Sequence, residues 1–375
     1  MEITSIEAIP LAPDLGEVEM ALGDNEQQVS VRPVVVKVHT DAGITGLGET
    51  LTYTERETDV VASGINLLKR HLVGTDPREI NRRWQELYTD AKRSQAYKPL
   101  SALDIALWDI AGKDAGKPLY ELLGGRTGTL SAYATFPYQQ TAEELIENGA
   151  WLAEKGFHSM KITAGIDVET DKRRIAEVAT ALPDGFGLSI DANTSMNFSE
   201  ALEVARIASE HDLVWFEEPI PHTDIEGQAE LNRRVSVPIA AYQSHTPHYA
   251  AVDHLRANAL EVYQPALYLC GGVTGAKRVA TLTEAYNKRF VPHAYGPLVN
   301  YAASVHVSVA TPASDLIEFA IYDEELDDPG EYVASPYVEN QDAIYVDDDG
   351  TIEPPSEPGV GIRLDEDAVE RFRID

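Results

Sequence analysis

From Leu130 onward, short apolar runs recur along the chain, most of them followed by a longer, helix-like stretch. The runs are LSAYATF, HSMKITA, GLSIDA, LVWFEEP, PIAAYQ, ALEVYQPA, RFVPHA and LIEFAIY. Their ends fall roughly 25 to 30 residues apart, the step of a parallel β/α repeat that closes into a barrel. Several of the intervening helices announce their starts. Thr141 with Glu144 forms a capping box. A helix spans about Asp167 to Ala181, and Ser199 is the candidate cap of the next. Another helix begins after Gly271-Gly272, and one passes through Tyr301 to Val309. No helix-length segment clearly follows the eighth run. DEELDDPGEY leaves the barrel instead, and GIRLDEDAVERF is expected to pack back on the N-terminal part.

The first 125 residues do not share this repeat. ITSIEAIPL reads as a strand. VRPVVVKVHT and ITGLGET read as a hairpin around Asp41-Ala42-Gly43. Residues 11–30 between them are polar and without a clear period. They read equally as a lid over the barrel mouth or as a plain insertion. From Glu55 to about Gly124 the pattern turns helical. SALDIALWDIAGKDAG places Leu103, Ile105, Ala106, Leu107 and Ile110 on a broad apolar face. The expected organisation is an α+β capping domain over 1–125, a barrel over 126–325, and a segment over 326–375 that returns to the cap.

Length agrees with this division, because 375 residues exceed the roughly 250 of a simple barrel. Charge narrows the possible partners. The chain carries 62 acidic and 30 basic residues, a formal net charge of -32. That excludes the basic face a nucleic-acid binder needs and disfavours anionic membranes. The acid is spread along the whole chain, a pattern suited to a halophilic cytoplasm, where salt screens self-repulsion. Cys270 is the only cysteine, so no intramolecular disulfide framework exists. With no charged-then-apolar leader and no apolar run near the ~20 residues of a bilayer span, a soluble cytoplasmic protein is expected.

In such a barrel the strand C-terminal ends share one face, and the chemistry sits there. The candidate ends are Lys161, Asp191, Glu217, Gln243, Ala266, His293 and Glu318. Any one of them alone is ordinarily a turn residue or a cap. Asp191 and Glu217 on neighbouring ends bring two like charges together, and a hard divalent cation such as Mg²⁺ would balance them. A salt link from a Lys or Arg filling the ion's place would overturn the enzyme reading.

These residues sit within motifs of a known family. ITGLGET, SALDIALWDIAGKDAGKPLYELLGG, SIDAN, FEEP, PIAA, GGVTG and EPGVGI occur in the order and spacing of the enolase superfamily. The chain resembles the branch named for mandelate racemase and muconate lactonizing enzyme, nearly end to end. The resemblance implies a (β/α)7β TIM-like barrel with an α+β cap, commonly in homo-oligomers from dimers to octamers. It implies Mg²⁺ on three carboxylates and removal of a proton next to the carboxylate of a small-molecule substrate. Asp191 and Glu217 match the first two metal ligands, and Gln243 stands where the family usually has a Glu. Its amide oxygen can bind Mg²⁺, with one charge fewer. Glu218, by strand alternation, is expected to point away into a structural contact. Lys161 matches a Lys that faces the substrate carboxylate, while Thr163 stands where a second, basic Lys is frequent. His293 matches the catalytic His of the seventh strand. Its usual Asp partner is replaced by Ala266, leaving Tyr263, Gln264 or Tyr295 to orient the ring. Glu318 matches a Glu that donates a hydrogen bond to the enediolate, and His245 reads as a loop residue.

The leading expectation is a lyase that dehydrates a hydroxy acid, most simply an acid sugar, with His293 as base and acid. Absence of a base at Thr163 argues against a racemase. One alternative is a binding or regulatory protein on a barrel that has lost acids or bases at Thr163, Gln243 and Ala266. Another is an isomerase or cycloisomerase with Lys161 as base.

Overall fold

In this computed structural model, residues 1–13, 18–22, 25–29, 31–136, 139–246, 248–321, 328–332 and 335–374 are described. The N-terminal strands are β1 (Ile3–Pro10), β2 (Val18–Leu22), β3 (Asn25–Val29), β4 (Arg32–Thr40) and β5 (Thr45–Thr52). β1, β4 and β5 form an antiparallel sheet in that order. The turn from β4 to β5 runs through Gly43 at φ 75°, which a residue lacking Cβ adopts freely. Within 11–30, the expected aperiodic loop, β2 and β3 pair into a separate antiparallel ribbon. Residues 14–17, 23–24 and 30 of that stretch lie outside the described residues.

Four helices follow: α1 (Glu55–Leu68), α2 (Ile80–Ser94), α3 (Tyr97–Ala115) and α4 (Leu119–Leu122). The inner faces of the sheet and of α1 to α3 meet in one apolar core around Val36, Leu68, Trp84 and Leu103. α3 lies close against β5. A Cβ on Gly46 or Gly48 would overlap the backbone carbonyls of Ala106 and Ala102, which accounts for both glycines of ITGLGET.

The barrel strands are β6 (Leu130–Thr135), β7 (Ser159–Thr163), β8 (Gly187–Asp191), β9 (Phe216–Glu217), β10 (Ile239–Ala241), β11 (Val262–Tyr263), β12 (Arg289–Phe290) and β13 (Leu316–Ala320). They pair in parallel in chain order, and β13 returns to pair with β6. On the remaining side, the Phe290 amide donates to the Ala313 carbonyl at 2.9 Å. Tyr133, Trp215, Ala240, Val262 and Val291 fill part of the interior, so the barrel is packed rather than hollow. Each of the first seven strands is followed by a helix: α5 (Ala142–Glu154), α6 (Val168–Ala181), α7 (Phe198–Glu210), α8 (Ile225–Arg234), α9 (Tyr249–Ala257), α10 (Gly272–Ala285) and α11 (Leu298–Val309). The Thr141–Glu144 capping box is present as expected. The cap of α7 is Asn197 rather than Ser199: its side-chain oxygen accepts the amides of Ser199 and Glu200, and Glu200 answers at the Asn197 amide.

The C-terminal stretch touches both bodies. β14 (Thr351–Ile352) pairs antiparallel with β6 on the barrel, and the chain then passes Pro118 at Gly359. It ends in α12 (Glu366–Phe372), where Lys37 of β4 pairs with Glu366 at 2.6 Å and Leu11 bridges Arg373. Among the described residues, no helix is long and apolar enough to cross a membrane.

Candidate active site

Lys161 leaves the inner side of β7 near its C-terminal end and is only 4% exposed. Its ammonium lies 2.9 Å from Glu217 Oε1, 2.9 Å from Glu318 Oε1 and 3.6 Å from Asp191 Oδ2. β7, β8, β9 and β13 therefore deliver one cation and three carboxylates to a single point. Burial acts to deprotonate Lys161, but the charges of Glu217, then Glu318, outweigh it and hold the ammonium well above its ordinary range. Lys161 is thus a fixed positive charge and a poor base.

Each carboxylate is held differently. Glu217 has both oxygens engaged: Oε1 by Lys161, and Oε2 by Trp215 Nε1 at 3.1 Å and Gln264 Nε2 at 2.7 Å. Gln264, one candidate to orient His293, is thereby committed to Glu217. Burial alone would raise the Glu318 carboxyl, yet Lys161, then His293, hold it well below the usual range. It is held as the carboxylate here, between Lys161 and His293. Asp191 is pushed up to about 7, first by burial and then by the charge of Glu217.

His293, in the loop beyond β12, places Nδ1 3.0 Å from Glu318 Oε2, although the contact is off the line of a hydrogen bond. Tyr295 stacks on the ring at 5.9 Å between centroids, and Tyr268 meets it edge-on at 6.2 Å. Position 266 holds no polar group at all. Ala266 packs with Leu51, Tyr268 and Tyr295 in an apolar patch. The carboxylate facing the imidazole comes from the eighth strand instead of the sixth. Tyr263, another candidate to orient the ring, packs on Tyr242 instead. His245 sits in a loop against Tyr242 and His254, and burial, then the His254 ring, lower it to about 3.

Gln243 is brought to the same end of the barrel. Its Nε2 donates to Glu218 Oε2 at 2.9 Å. Glu218 does not point away as alternation predicts. Its backbone takes the left-handed conformation, φ 40°, directly after β9. The carboxyl is pushed up to about 8, by burial and then by the charges of Asp191 and Glu217.

No three His, Cys, Asp or Glu side chains among the described residues already form a metal cage. The ammonium of Lys161 takes part of the place expected for an ion, between Glu217 and Asp191. The donors nonetheless suit a hard cation, since all are oxygens. Moreover, Gln243 Oε1 and Glu218 Oε1 are buried with no hydrogen-bond partner. Burial and then the charge of Glu217 raise Asp191, and burial and then the charge of Asp191 raise Glu218. The residues fit Mg²⁺ in their chemistry.

The sequence reading overlooked a support beneath the loop that carries His293. Glu49 of β5 accepts the amides of Val299 and Asn300 at 2.9 and 3.1 Å and the Tyr337 hydroxyl at 2.6 Å. Tyr332 donates to the Gly296 carbonyl, and Leu298 N–H to Ser335 Oγ at 2.8 Å. The one charged residue of the ITGLGET strand, Glu49, was the available signal.

Comparison with known proteins identifies the family, and the enzymes among its members keep the enzyme reading although Lys161 makes the salt link that was to overturn it. Residues 5–124 match the family model for the mandelate racemase / muconate lactonizing enzyme N-terminal domain, and 144–368 match the enolase C-terminal domain-like model. The D-galactarolactone cycloisomerase of Agrobacterium fabrum is 31% identical, over 91% of each chain. The D-galactonate dehydratase of Ralstonia nicotianae is 30% identical, again over 91% of each. Among solved structures, a member of the enolase superfamily from Polaromonas sp. JS666 superposes with a TM-score of 0.89 at 31% identity, covering 100% of this chain and 98% of that one. A racemase from Streptomyces coelicolor A3(2) with bound magnesium gives 0.84 at 25% identity, covering 99% and 100%.

Proposed function

This chain belongs to the mandelate racemase and muconate lactonizing enzyme branch of the enolase superfamily, and on that premise we propose that it dehydrates an acid sugar by removing the proton next to the carboxylate. The observation that carries the reading is the convergence of Lys161, Glu318 and His293 at one barrel mouth. Asp191, Glu217 and Gln243 are the residues that would hold Mg²⁺. When bound, the ion supplies a fixed dication beside the carboxylate on which a second negative charge develops.

The chain's own groups do the rest. Lys161 remains charged and sits where it can hold the substrate carboxylate, adding to charge stabilisation beside the buried Glu318. Glu318 faces Nδ1 of His293, which favours the proton on that nitrogen and leaves Nε2 to take the substrate hydrogen. The C–H pair moves toward the carboxylate carbon. The C–O bond on the adjacent carbon then breaks, and the imidazolium returns its proton to the departing hydroxide as water. The enol left behind tautomerises to a 2-keto-3-deoxy acid. Thr163 leaves the opposite face without a base, which supports elimination on one face over racemisation.

A second reading keeps the same first step with a leaving group inside the substrate, as a cycloisomerase. The Agrobacterium fabrum relative supports it. In this chain the base would still be His293, because Lys161 is held protonated. For its setting we propose a homo-oligomer in a salt-rich cytoplasm, with the β2–β3 ribbon as a lid. The resemblance supports the assembly, and the acid excess supports the setting.

The test is a panel of acid sugars and sugar lactones incubated with the protein and Mg²⁺ in D₂O. Loss of water to a 2-keto-3-deoxy acid supports the dehydratase, and an isomeric product of equal mass supports the cycloisomerase. His293→Asn should lower turnover by ~10³-fold, within the range for a general base. Binding without deuterium exchange for every acid tested would mean the barrel is a binding protein.

A further inference from the structure

We propose that the cleft between α3 and α10, at the seam of cap and barrel, binds a small organic oxyanion, a phosphate ester or a carboxylate, through Lys277 and Arg278. The cleft measures about 420 Å³, and Trp108, His248, Thr274, Lys277, Arg278 and Leu282 are among its walls. None of them belongs to the constellation around Lys161 and His293. The two helices are fastened to each other here, since Trp108 Nε1 donates to Thr274 Oγ1 at 2.9 Å.

Charge is the first observation. Acids outnumber bases by 62 to 30 in this chain, so partners for a base are plentiful. Yet neither Lys277 nor Arg278 forms an ion pair among the described residues. The half-buried Arg278 guanidinium lies 4.1 Å from the centroid of the buried Trp84 ring, and the Lys277 ammonium 5.8 Å from that of Trp108. Ring faces hold cations in place without neutralising them. Asp104 is the acid whose charge reaches Arg278. Its oxygens accept Thr274 N–H at 2.8 Å and the Thr274 hydroxyl at 2.7 Å, and burial raises it to about 7. A carboxyl raised that far is an incomplete counter-charge. Hydrogen bonding and shape are the second observation. His248 packs on Trp84 at 5.6 Å between centroids, and its buried Nδ1 has no hydrogen-bond partner. Burial, then the Arg278 charge, lower it to about 4, so the ring is neutral and has one N–H to donate. A guanidinium edge, an ammonium and an imidazole suit an oxyanion. Trp108 and Leu282 line the rest of the cleft with apolar surface, which an inorganic ion would leave unused.

Calorimetric titration of the full-length protein with adenosine monophosphate, succinate and inorganic phosphate, in buffer without Mg²⁺, tests this. At least one organic probe should bind more tightly than inorganic phosphate. Tighter binding of adenosine monophosphate marks a phosphate-ester site, and tighter binding of succinate a carboxylate site. Lys277→Gln and Arg278→Gln should each weaken that probe roughly tenfold or more, the loss of one charge-assisted contact. Lys277→Arg keeps the charge and should bind nearly as wild type. Circular dichroism checks folding, and the exposed Lys277 decides the matter alone if Arg278→Gln does not fold. Failure of both organic probes to bind the wild type overturns the site. So does an affinity unchanged in Lys277→Gln, which would put the anion elsewhere, as at Lys161. Light scattering covers the remaining occupant: if no probe binds and Lys277→Gln changes the oligomeric state, an acidic segment of a second copy fills the cleft and the small-anion assignment is wrong.

Discussion

Lys161 is the residue on which the site's electrostatics turn. It holds Glu217 and Glu318 at 2.9 Å each in a place with little water. Removing one partner of a buried pair leaves uncompensated charge, typically at ~3–5 kcal/mol. Lys161→Met should therefore be both inactive and less stable, and the stability loss should depend on pH. In the wild type Glu318 is held below its ordinary range, so it contributes stability above the unfolded carboxyl range and loses it only as pH falls through its lowered value. In the variant that contribution disappears. Urea unfolding should show a wide gap between the two proteins at pH 8 and a narrower one at pH 4.5, where the variant can protonate its carboxyls. An equal gap at both values would mean that Lys161 is not their counter-charge. Lys161, Asp191, Glu217, His293 and Glu318 could be named in the sequence because each lies at the end of a recognisable apolar run. The partnership of His293 with Glu318 could not, since it forms across the seventh and eighth strands and no spacing encodes it. Glu218 was misdirected for a different reason: one positive φ inverts an alternation rule that assumes extended backbone.

Elements were legible where a period repeats and obscure where a polar group replaces it. The β/α repeat declared itself because each barrel strand lies in a short, mainly apolar run. In α3, the motif SALDIALWDIAG reads as an apolar face, yet its buried polar members tie the domains together. Asp104 accepts Thr274 N–H at the start of α10 at 2.8 Å, and Asp109 accepts Leu47 and Val360 amides at 2.7 and 2.8 Å. Glu49 performs the same service for α11, as a carboxyl at a helix N-terminus. It is fully buried, and burial raises it from 4.5 to about 7 against the lowering bonds from Tyr337, Asn300 and Val299. A carboxyl raised in the folded state gives its stability in full below the unfolded value. That stability is lost as pH rises through the folded one. Between pH 4.5 and about 7 the wild type should lose on the order of 3 kcal/mol from this group. Glu49→Gln has nothing to ionise. Melting temperatures at pH 5 and pH 8 should move in favour of the variant at the higher pH, whatever its offset at the lower. A constant difference would show that Glu49 does not titrate in this range. Loss of turnover in the same variant would further show that the cap holds the His293 loop.

At the scale of the whole molecule, charge is the property that fold does not explain. The architecture was readable end to end because its motifs are tied to packing. The excess of acid lies outside those motifs and answers to solvent. We infer that the surface is built for concentrated salt. With 62 acidic and 30 basic residues, at least 62 − 30 = 32 acids have no cation to pair with even if every base is used. Salt has two opposing effects on such a surface. It weakens pairs such as Arg289–Asp315 at 2.9 Å, but exposed pairs contribute only ~0–1 kcal/mol each. It also screens repulsion among the unpaired acids, as the Debye length falls from ~8 Å at 0.15 M to ~3 Å at 1 M. Repulsion grows with net charge whereas pairing is capped by the bases, so screening should dominate. The melting temperature should climb steadily from 0.15 M to 2 M KCl. The gain should be steepest below ~1 M, where the Debye length changes most. Sucrose, which favours the compact state by exclusion and carries no charge, should not reproduce that steep early rise. A melting temperature that is flat or falls over the first molar of KCl would mean that the acids are balanced locally, and that the salt-rich setting is wrong. Partial neutralisation, replacing exposed acids far from the barrel mouth with Gln or Asn, should shift the same curve to lower salt without changing its plateau.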